Sequence, residues 1–282
     1  MNFGIAFIFI LYGLVAGSFL NACIWRIPRQ ESLLKRSHCP GCGALIRWYD
    51  NIPVISYLRL LGCCRTCKST ISIRYPLVET GTAFLFLALL WRFGPSWVLL
   101  PMVPLTCMIV ALIFIDLDHM ILPDVITLPG ALLGLVLSFW QDPVFYSDPL
   151  AQSLAAWALP PDWQGTALPL VGSVLGLIVG GGLLWLVAEV YFRLRKVEGL
   201  GFGDVKMMAM VGAFLGWKYV LLTIFLGSFS GALFGLVYIR VRRLDMQFQL
   251  PFGVFLGLSA LVVLLFGPEI LDWYLGFWGS NG

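Results

Sequence analysis

Residues 98–124 read VLLPMVPLTCMIVALIFIDLDHMILPD, an apolar run from Val98 to Ile115 that leads into a cluster of acids. The run has no charged residue over 18 positions, close to the roughly 20 apolar residues that a helix needs to cross a bilayer. A carboxylate such as Asp116 is costly next to hydrocarbon unless it serves chemistry or transport. The stretch therefore predicts a membrane-spanning helix that ends in a functional acid.

The composition extends this prediction to the whole chain. Of its 282 residues, 60% are hydrophobic and 12% are charged, whereas soluble domains average roughly 25% charged residues. This excludes an ordinary soluble enzyme and predicts an all-α fold, a polytopic membrane protein of about eight transmembrane helices. The predicted spans are 3–25, 77–91, 98–115, 125–140, 168–190, 205–217, 219–239 and 251–271.

The distribution of basic residues predicts the orientation of these spans, because loops rich in Lys and Arg stay cytoplasmic. Threading the spans alternately places all of the 18 basic residues except Arg92 and Lys218 on one side. The loop 141–165 lies on the other side and contains no Lys or Arg. Both termini are then outside, with Asp116 and Asp204 at the cytoplasmic face. The net charge of +3 follows from this topology and predicts no nucleic-acid partner.

The polar segment 26–76 contains two Cys-x-x-Cys motifs, Cys39 with Cys42 and Cys64 with Cys67, separated by 21 residues. This spacing is typical of four-thiolate zinc sites. A segment of this length buries too little apolar surface to hold itself together, so the sequence predicts a structural zinc that staples a cytoplasmic loop.

Disulfides, or Cys63 in place of Cys64, are the two alternatives to this ligand set. Disulfides would also connect the cysteines, but the reducing cytoplasm disfavours them. Cys63 could replace Cys64 as a ligand, but only Cys64 gives the two-residue spacing to Cys67.

A second acidic motif, GLGFGDVK, occupies residues 199–206 and includes Asp204 and Lys206. Its glycines superficially match a nucleotide-binding loop, but that interpretation requires a strand before the loop in a βαβ unit. Here apolar helices are predicted on both sides. Glycine permits close backbone approach and unusual dihedrals, so Gly201 and Gly203 are predicted to let the loop present Asp204 to an extended peptide.

Asp116 and Asp204 are predicted to act as an aspartic dyad. Two close carboxylates cannot both ionise easily, so one holds a proton while the other activates water, and the pair titrates as a unit. Helix capping is the alternative for Asp204 and above all for Asp124, which follows Pro123 at a good helix start. Asp116 ends a span, where negative charge opposes the helix dipole, and this favours a functional role. The sequence leaves open which carboxylate is the base.

Together these motifs resemble the bacterial type IV prepilin leader peptidases over nearly the whole chain. The motifs that carry the resemblance are GSFLN at 17–21, the two cysteine motifs, RYPLVE at 74–79, the acids of 116–124 and GFGDVK at 201–206. The resemblance implies an intramembrane aspartic protease of the Gly-x-Gly-Asp kind in the bacterial inner membrane. Its catalytic aspartates would be Asp116 and Asp204.

The resemblance also implies substrates. These enzymes cut the basic leaders from type IV prepilins and type II secretion pseudopilins, after a glycine at the cytoplasmic edge of the apolar segment. Members with a four-cysteine loop are bifunctional and then methylate the new N-terminal amine, usually of Phe, using S-adenosylmethionine. No soluble-methyltransferase glycine loop is visible here, so the donor site is not located. Glu79 is a candidate contributor, and pairing with an Arg at the membrane edge is its alternative role.

The predicted organisation has three parts: a first transmembrane helix at 1–25, the four-cysteine zinc loop at 26–76, and a seven-helix membrane core at 77–282 that carries the aspartic dyad. The first span is predicted to be retained, because residues 1–20 lack the Lys or Arg that begins a secretory signal.

Five glycines at helical spacing predict close helix packing. They are Gly13, Gly17, Gly227, Gly231 and Gly235.

Two other classes of function compete with the peptidase. A proton-coupled membrane carrier could use Asp116, Asp124 and Asp204 as a relay, but the chain lacks the internal repeat that is typical of such carriers. A zinc-bearing scaffold would explain the cysteines and leave the aspartates idle.

Overall fold

A computed structural model describes residues 3–146, 148–197, 199–242 and 250–279. Nine α-helices lie in these ranges, and no strand does: the only β pairing there is two isolated bridges, His38 with Leu45 and Cys63 with Thr70. The predicted all-α fold is confirmed. The helices are α1 Phe3–Arg26, α2 Ile55–Arg59, α3 Arg74–Phe93, α4 Leu99–His119, α5 Asp124–Val136, α6 Pro149–Ala158, α7 Pro161–Arg195, α8 Phe202–Arg242 and α9 Phe252–Gly279.

Six helices of the described chain are long and apolar enough to cross a membrane: α1, α3, α4, α7, α8 and α9. A shorter apolar segment, Asp124–Trp140, consists of α5 and the 3₁₀ turn that follows it. The predicted sixth and seventh spans both fall within α8. The count of eight helices is therefore not confirmed, although integral membrane character is clear.

Helix α8 is interrupted at Gly216, which has non-helical dihedrals of φ 75° and ψ 172°. Only glycine adopts this conformation readily. A side chain there would also overlap the carbonyl oxygen of Phe145. The interruption lies one residue before Trp217, where the sequence predicts the sixth span to end, and it separates the arm that carries Asp204 from the rest of α8.

The chain divides into two compact units, Met1–Leu99 and Leu100–Gly282. In the first unit, α1 packs closely on α3. A Cβ at Gly13 would lie 2.5 Å from Ala83 Cα, and one at Gly17 would lie 2.6 Å from Glu79 Cα. The predicted packing role of these two glycines is confirmed. The assignment of separate domains at 1–25, 26–76 and 77–282 stays a prediction.

In the second unit, α7 and α8 make the closest backbone approach through Gly176 and Gly212. A Cβ at Gly176 would overlap the carbonyl oxygen of Gly212. The predicted packing of Gly227 is also found, since its Cβ would lie 2.8 Å from a methyl carbon of Leu256 on α9. These contacts show internal packing of helices within one chain.

Replacement of Gly176 by Ala should lower the thermal unfolding midpoint, because backbone atoms of α8 cannot move aside as a flexible side chain would. The expected loss is about 1–3 kcal/mol, the usual cost of overpacking. Gly182→Ala on the same helix is the matched control, since a Cβ there meets no atom within 4 Å. It gains the same helix propensity and should leave the midpoint unchanged or raise it. Equal midpoints for the two variants would contradict the packing argument.

Candidate active site and metal centre

Asp116 lies in the last turn of α4 and is 5% exposed. Its Oδ2 accepts a hydrogen bond of 3.0 Å from the backbone N–H of Val254, in the first turn of α9. The first N–H groups of a helix have no partner within the helix and carry partial positive charge. A Cβ at Gly253 would lie only 2.9 Å from the same oxygen, so glycine lets the start of α9 reach the carboxylate.

Gly253 and Val254 are site residues that the sequence interpretation missed. The available signal was the Pro251-Phe252-Gly253 sequence at the start of the last apolar run, where a helix start exposes N–H donors.

Asp204 lies in the first turn of α8 and is 7% exposed. Its backbone N–H donates to Gly201 O at 3.1 Å. Within the described residues its buried Oδ1 has no hydrogen-bond partner. A buried polar atom without a partner is rare and calls for an explanation. Here the carboxylate borders a cavity, so a substrate or water can supply the bond.

The two aspartates border one cavity of about 270 Å³ in the second unit. It is also lined by Asp124 from α5 and by the predicted loop glycines Gly201 and Gly203. A Cβ at Gly203 would lie 2.9 Å from Leu122 Cβ, and Leu122 also lines the cavity. The structure therefore brings together the acids that the sequence singled out, together with the glycine loop.

Met120 shapes the turn between α4 and α5 and also lines this cavity. Its φ is 54°, a left-handed conformation that is uncommon for residues other than glycine. Its N–H donates to Asp116 O at 2.8 Å. Strained residues of this kind cluster at functional sites, and no sequence signal marked Met120.

The N-cap interpretation of Asp124 is wrong. Pro123 occupies the cap position of α5 without a side-chain cap bond, and Asp124 follows inside the helix. Both carboxylate oxygens of Asp124 instead accept hydrogen bonds from Lys206 Nζ, each of 2.7 Å. This ion pair ties the start of α5 to the first turns of α8.

The four predicted cysteines form a cluster in the first unit. Their sulfur atoms all lie within 4.8 Å of one another, and Cys39 Sγ is 3.8 Å from Cys67 Sγ. Tetrahedral zinc with Zn–S bonds of about 2.3 Å places its sulfurs about 3.8 Å apart. The cluster fits four-thiolate zinc and does not include Cys63. In the described chain these cysteines are free thiols and not disulfides.

The two cysteine motifs have the same local conformation. Gly43 N–H donates to Cys39 O at 2.8 Å, and Lys68 N–H donates to Cys64 O at 3.1 Å. Gly43 and Lys68 both have positive φ, 69° and 59°. Backbone N–H groups of Cys42 and Gly41 lower the pKa of the Cys39 thiol to about 6, which favours the thiolate that binds metal.

A second cavity, of about 380 Å³, lies in the first unit between the cysteine loop and the start of α3. Glu79 lines it and is 7% exposed. Its Oε2 accepts a 2.7 Å hydrogen bond from the backbone N–H of Val54. Within the described residues Glu79 makes this contact and not the predicted alternative, an ion pair with an Arg at the membrane edge.

Asp50 organises the loop around this cavity. Its carboxylate accepts two hydrogen bonds from Arg65, from Nε to Oδ2 at 2.8 Å and from Nη2 to Oδ1 at 2.6 Å. It accepts a third from Arg59 Nη2, at 3.2 Å from Oδ1. The Arg65 guanidinium holds the pKa of the Asp50 carboxyl below its usual range. Charge-assisted, two-point pairs of this kind are the stronger ones.

Asp50→Asn should reduce the free energy of unfolding of the loop by about 1–2 kcal/mol, since it leaves Arg65 and Arg59 without their carboxylate. A lowered carboxyl pKa contributes stability above its unfolded value of about 3.9, and that stability is lost only as pH falls through the folded value. The difference between variant and wild type should therefore stay constant from about pH 5 to pH 8. Thermal unfolding with zinc bound measures it, with Asp272→Asn, an exposed position, as the control. A difference that rises or falls across this range would contradict the assignment.

Comparisons with known proteins agree with this geometry. The family description "Bacterial Peptidase A24 N-terminal domain" matches residues 11–93, and "Type IV leader peptidase family" matches residues 103–236. The second range contains Asp116, Asp124 and Asp204, the three aspartates that line the cavity. No solved structure matches the chain.

Curated relatives align with almost the full length. A Pseudomonas putida protein named Prepilin leader peptidase/N-methyltransferase is 37% identical over 92% of this chain and 89% of its own. Proteins of the same name from Pseudomonas aeruginosa and Legionella pneumophila are 35% and 33% identical, over 96% and 95% of this chain and 93% of their own lengths. The similarity extends over nearly the whole chain, and the matched region contains Asp116 and Asp204. The chain therefore belongs to the type IV leader peptidase family.

Proposed function

We propose that this protein removes the leader peptides of type IV prepilins and type II secretion pseudopilins and then methylates the newly exposed N-terminal amine. The observation that carries the proposal is the convergence of Asp116 from α4 and Asp204 from α8 on one cavity. The names of the relatives support both activities. No comparable support exists for the proton-carrier alternative.

Hydrolysis needs one carboxylate as base and one as acid. The Val254 N–H donor at Asp116 stabilises negative charge there, so we assign Asp116 as the group that takes a proton from water. The activated water attacks the scissile carbonyl carbon, and Asp204 gives its proton to the carbonyl oxygen. In the second step Asp116 gives the proton that it took from water to the leaving amine, the C–N bond breaks, and a hydroxyl of the tetrahedral intermediate returns a proton to Asp204. Within the described residues the buried Oδ1 of Asp204 has no hydrogen-bond partner, which disfavours negative charge there and suits Asp204 to the role of the acid.

The walls of the cavity position the substrate. Gly201 and Gly203 let the loop pack tightly against its neighbours, since a Cβ would lie 3.2 Å from Asp204 Oδ2 at Gly201 and 2.9 Å from Leu122 Cβ at Gly203. The pair of Lys206 and Asp124 holds two walls of the cavity together. These four residues are supporting groups that position the substrate and the dyad.

The four clustered cysteines would hold a structural zinc, whose four thiolates leave no coordination position for water. S-adenosylmethionine would supply an electrophilic methyl group. The cavity of the first unit suits a cationic ligand with an aromatic ring, such as this donor. Glu79 supplies negative charge in its wall, and Tyr57 and Tyr75 supply aromatic faces, which attract cations.

The charge distribution supports a location in the bacterial inner membrane with the aspartates at the cytoplasmic face and both termini outside. The cytoplasmic face is where the basic leader of a prepilin would be retained.

The experiment is incubation of the purified protein in detergent with a purified prepilin and S-adenosylmethionine, followed by mass spectrometry of the product. The proposal predicts loss of the leader together with a gain of roughly 14 Da, one methyl in place of hydrogen, at the new N-terminus. Intact prepilin would contradict it. Proton flux in vesicles that contain the protein, without cleavage, would favour the carrier instead.

A further inference from the structure

Glu79 is a buried carboxylate that borders the cavity of the first unit. It precedes Asp116 and Asp204 in the sequence and belongs to the other compact unit. Carboxylates are rarely buried unless they are paired or functional. The other carboxylate of the cavity wall is Asp50, which is already bound by two arginines. Within the described part of the chain, Glu79 is thus the carboxylate of this wall that meets a backbone N–H and a hydroxyl and not a cation.

The position of Glu79 is held from two sides. Gly17 of α1 packs on its backbone, where a Cβ would lie 2.6 Å from Glu79 Cα. On the other side Val54 donates its N–H to Oε2 while it has a positive φ, with φ 59° and ψ −49°, close to the rare and strained γ-turn conformation. A β-branched residue with positive φ is a true outlier. Such strain persists where the surrounding structure enforces it, often at functional sites.

Two hydrogen bonds, from the Val54 N–H and from the Ser18 hydroxyl, leave the carboxylate with spare capacity, because its two oxygens offer about four acceptor sites. The rest of the wall includes His38, Arg47, Tyr57 and Tyr75. A volume of about 380 Å³ falls in the range of small-molecule sites. The cavity therefore offers an anionic group, held rigidly, within an enclosure that also has aromatic and apolar surface.

From this geometry we propose that the Glu79 carboxylate binds the free α-ammonium group of the cleaved pilin and removes its proton before methyl transfer. The inference rests on the proposed methylation activity and names the residue that acts on its substrate. An N–H bond of the ammonium breaks and an O–H bond forms on Glu79. The freed nitrogen lone pair then forms the N–CH₃ bond, the carbon–sulfur bond of the sulfonium donor breaks, and its electron pair stays on sulfur. Glu79 returns its proton to water.

Glu79→Gln is the decisive variant, because an amide oxygen can still accept the Val54 N–H while the negative charge is lost. Glu31→Gln is the matched control, the same change in the same unit at a residue that does not line the cavity. Zinc content and prepilin cleavage report whether each variant is folded. Methylation is measured on pilin that has already been cleaved, so that it does not depend on the aspartic dyad.

At pH 7 we expect Glu79→Gln to methylate about 10²-fold more slowly than the wild type, the usual order for loss of an acid–base group. The deficit should shrink about tenfold by pH 9, because an α-amine with a pKa of about 8 then loses its proton to solvent. A deficit caused by misfolding would not shrink in this way. Glu31→Gln should match the wild type at both pH values.

Binding gives a second readout that needs no methyl donor. A synthetic peptide of the mature pilin N-terminus, beginning with Phe, is compared with its N-acetylated form by calorimetry. The wild type should prefer the free amine by about tenfold, the order of one charge-assisted contact, and Glu79→Gln should lose this preference.

Three results would overturn the inference. The first is methylation by Glu79→Gln at the wild-type rate. The second is a deficit that is independent of pH, with the amine preference kept, which would show a purely structural role. The third is a wild type that cleaves but never methylates, which overturns the methylation half of the proposed function and this inference with it.

Discussion

We expect Asp116→Asn and Asp204→Asn each to leave prepilin uncut, with cleavage reduced by about 10³–10⁴-fold. Asn has almost the shape of Asp but can neither take a proton from water nor give one to the substrate carbonyl. At Asp116 the amide oxygen can still accept the Val254 N–H, so the start of α9 should stay in place. The loss would therefore report chemistry and not unfolding.

Asp118→Asn is the matched control for this prediction. Asp118 lies two residues from Asp116, but it is exposed and does not line the cavity. Its variant should cleave within about twofold of the wild type, as exposed substitutions usually have small effects. Cleavage is followed as the mass of the product in detergent, and the thermal midpoint checks the fold. Retained cleavage in either Asp116→Asn or Asp204→Asn would show that the dyad is wrong.

The second large effect is expected at the cysteine cluster, where Cys39→Ser should abolish zinc binding and unfold the loop. Structural zinc supplies an apparent binding free energy of about 10–16 kcal/mol, which is folding free energy in domains of this kind. A loop of this size has too little core to remain folded without it. Zinc content by elemental analysis and limited proteolysis between the two cysteine motifs measure the two consequences.

Cys63→Ser is the control, because Cys63 is next to the proposed ligand Cys64 but lies outside the cluster. It should keep one zinc per chain and resist proteolysis as the wild type does. If Cys63→Ser loses zinc while Cys64→Ser retains it, the ligand set is wrong. If Cys39→Ser retains both zinc and protection, the cluster does not bind a structural metal.

Local patterns explain what could be predicted. Apolar length identifies a spanning helix without knowledge of its neighbours, so α1, α4 and α9 agree with predicted spans to within a few residues, except for a longer C-terminal end of α9. The two cysteine motifs likewise carry their own local geometry, since each turn is built from residues close in sequence. Asp116 and Asp204 of the proposed active site could be singled out because charge is costly next to a membrane span.

Boundaries between spans were less predictable. The sequence separates two spans near Trp217, and in the structure α8 consists of two helical segments that meet at the non-helical conformation of Gly216. Lys218 divides the apolar run near that position, but only the dihedrals of Gly216, and the carbonyl of Phe145 packed against it, distinguish an interruption from a turn.

The sequence by itself determined the fold class and the spacing of the two cysteine motifs, and it led to the proposed pair of Asp116 and Asp204, because each depends on composition or on residues close together in the chain. Tertiary structure decided the partners of those residues: Val254 for Asp116, Lys206 for Asp124 and Val54 for Glu79. These contacts join residues 138, 82 and 25 positions apart. Contacts at such separations form only when helices pack, and packing depends on the shapes of all the contacting surfaces together, which no local pattern encodes.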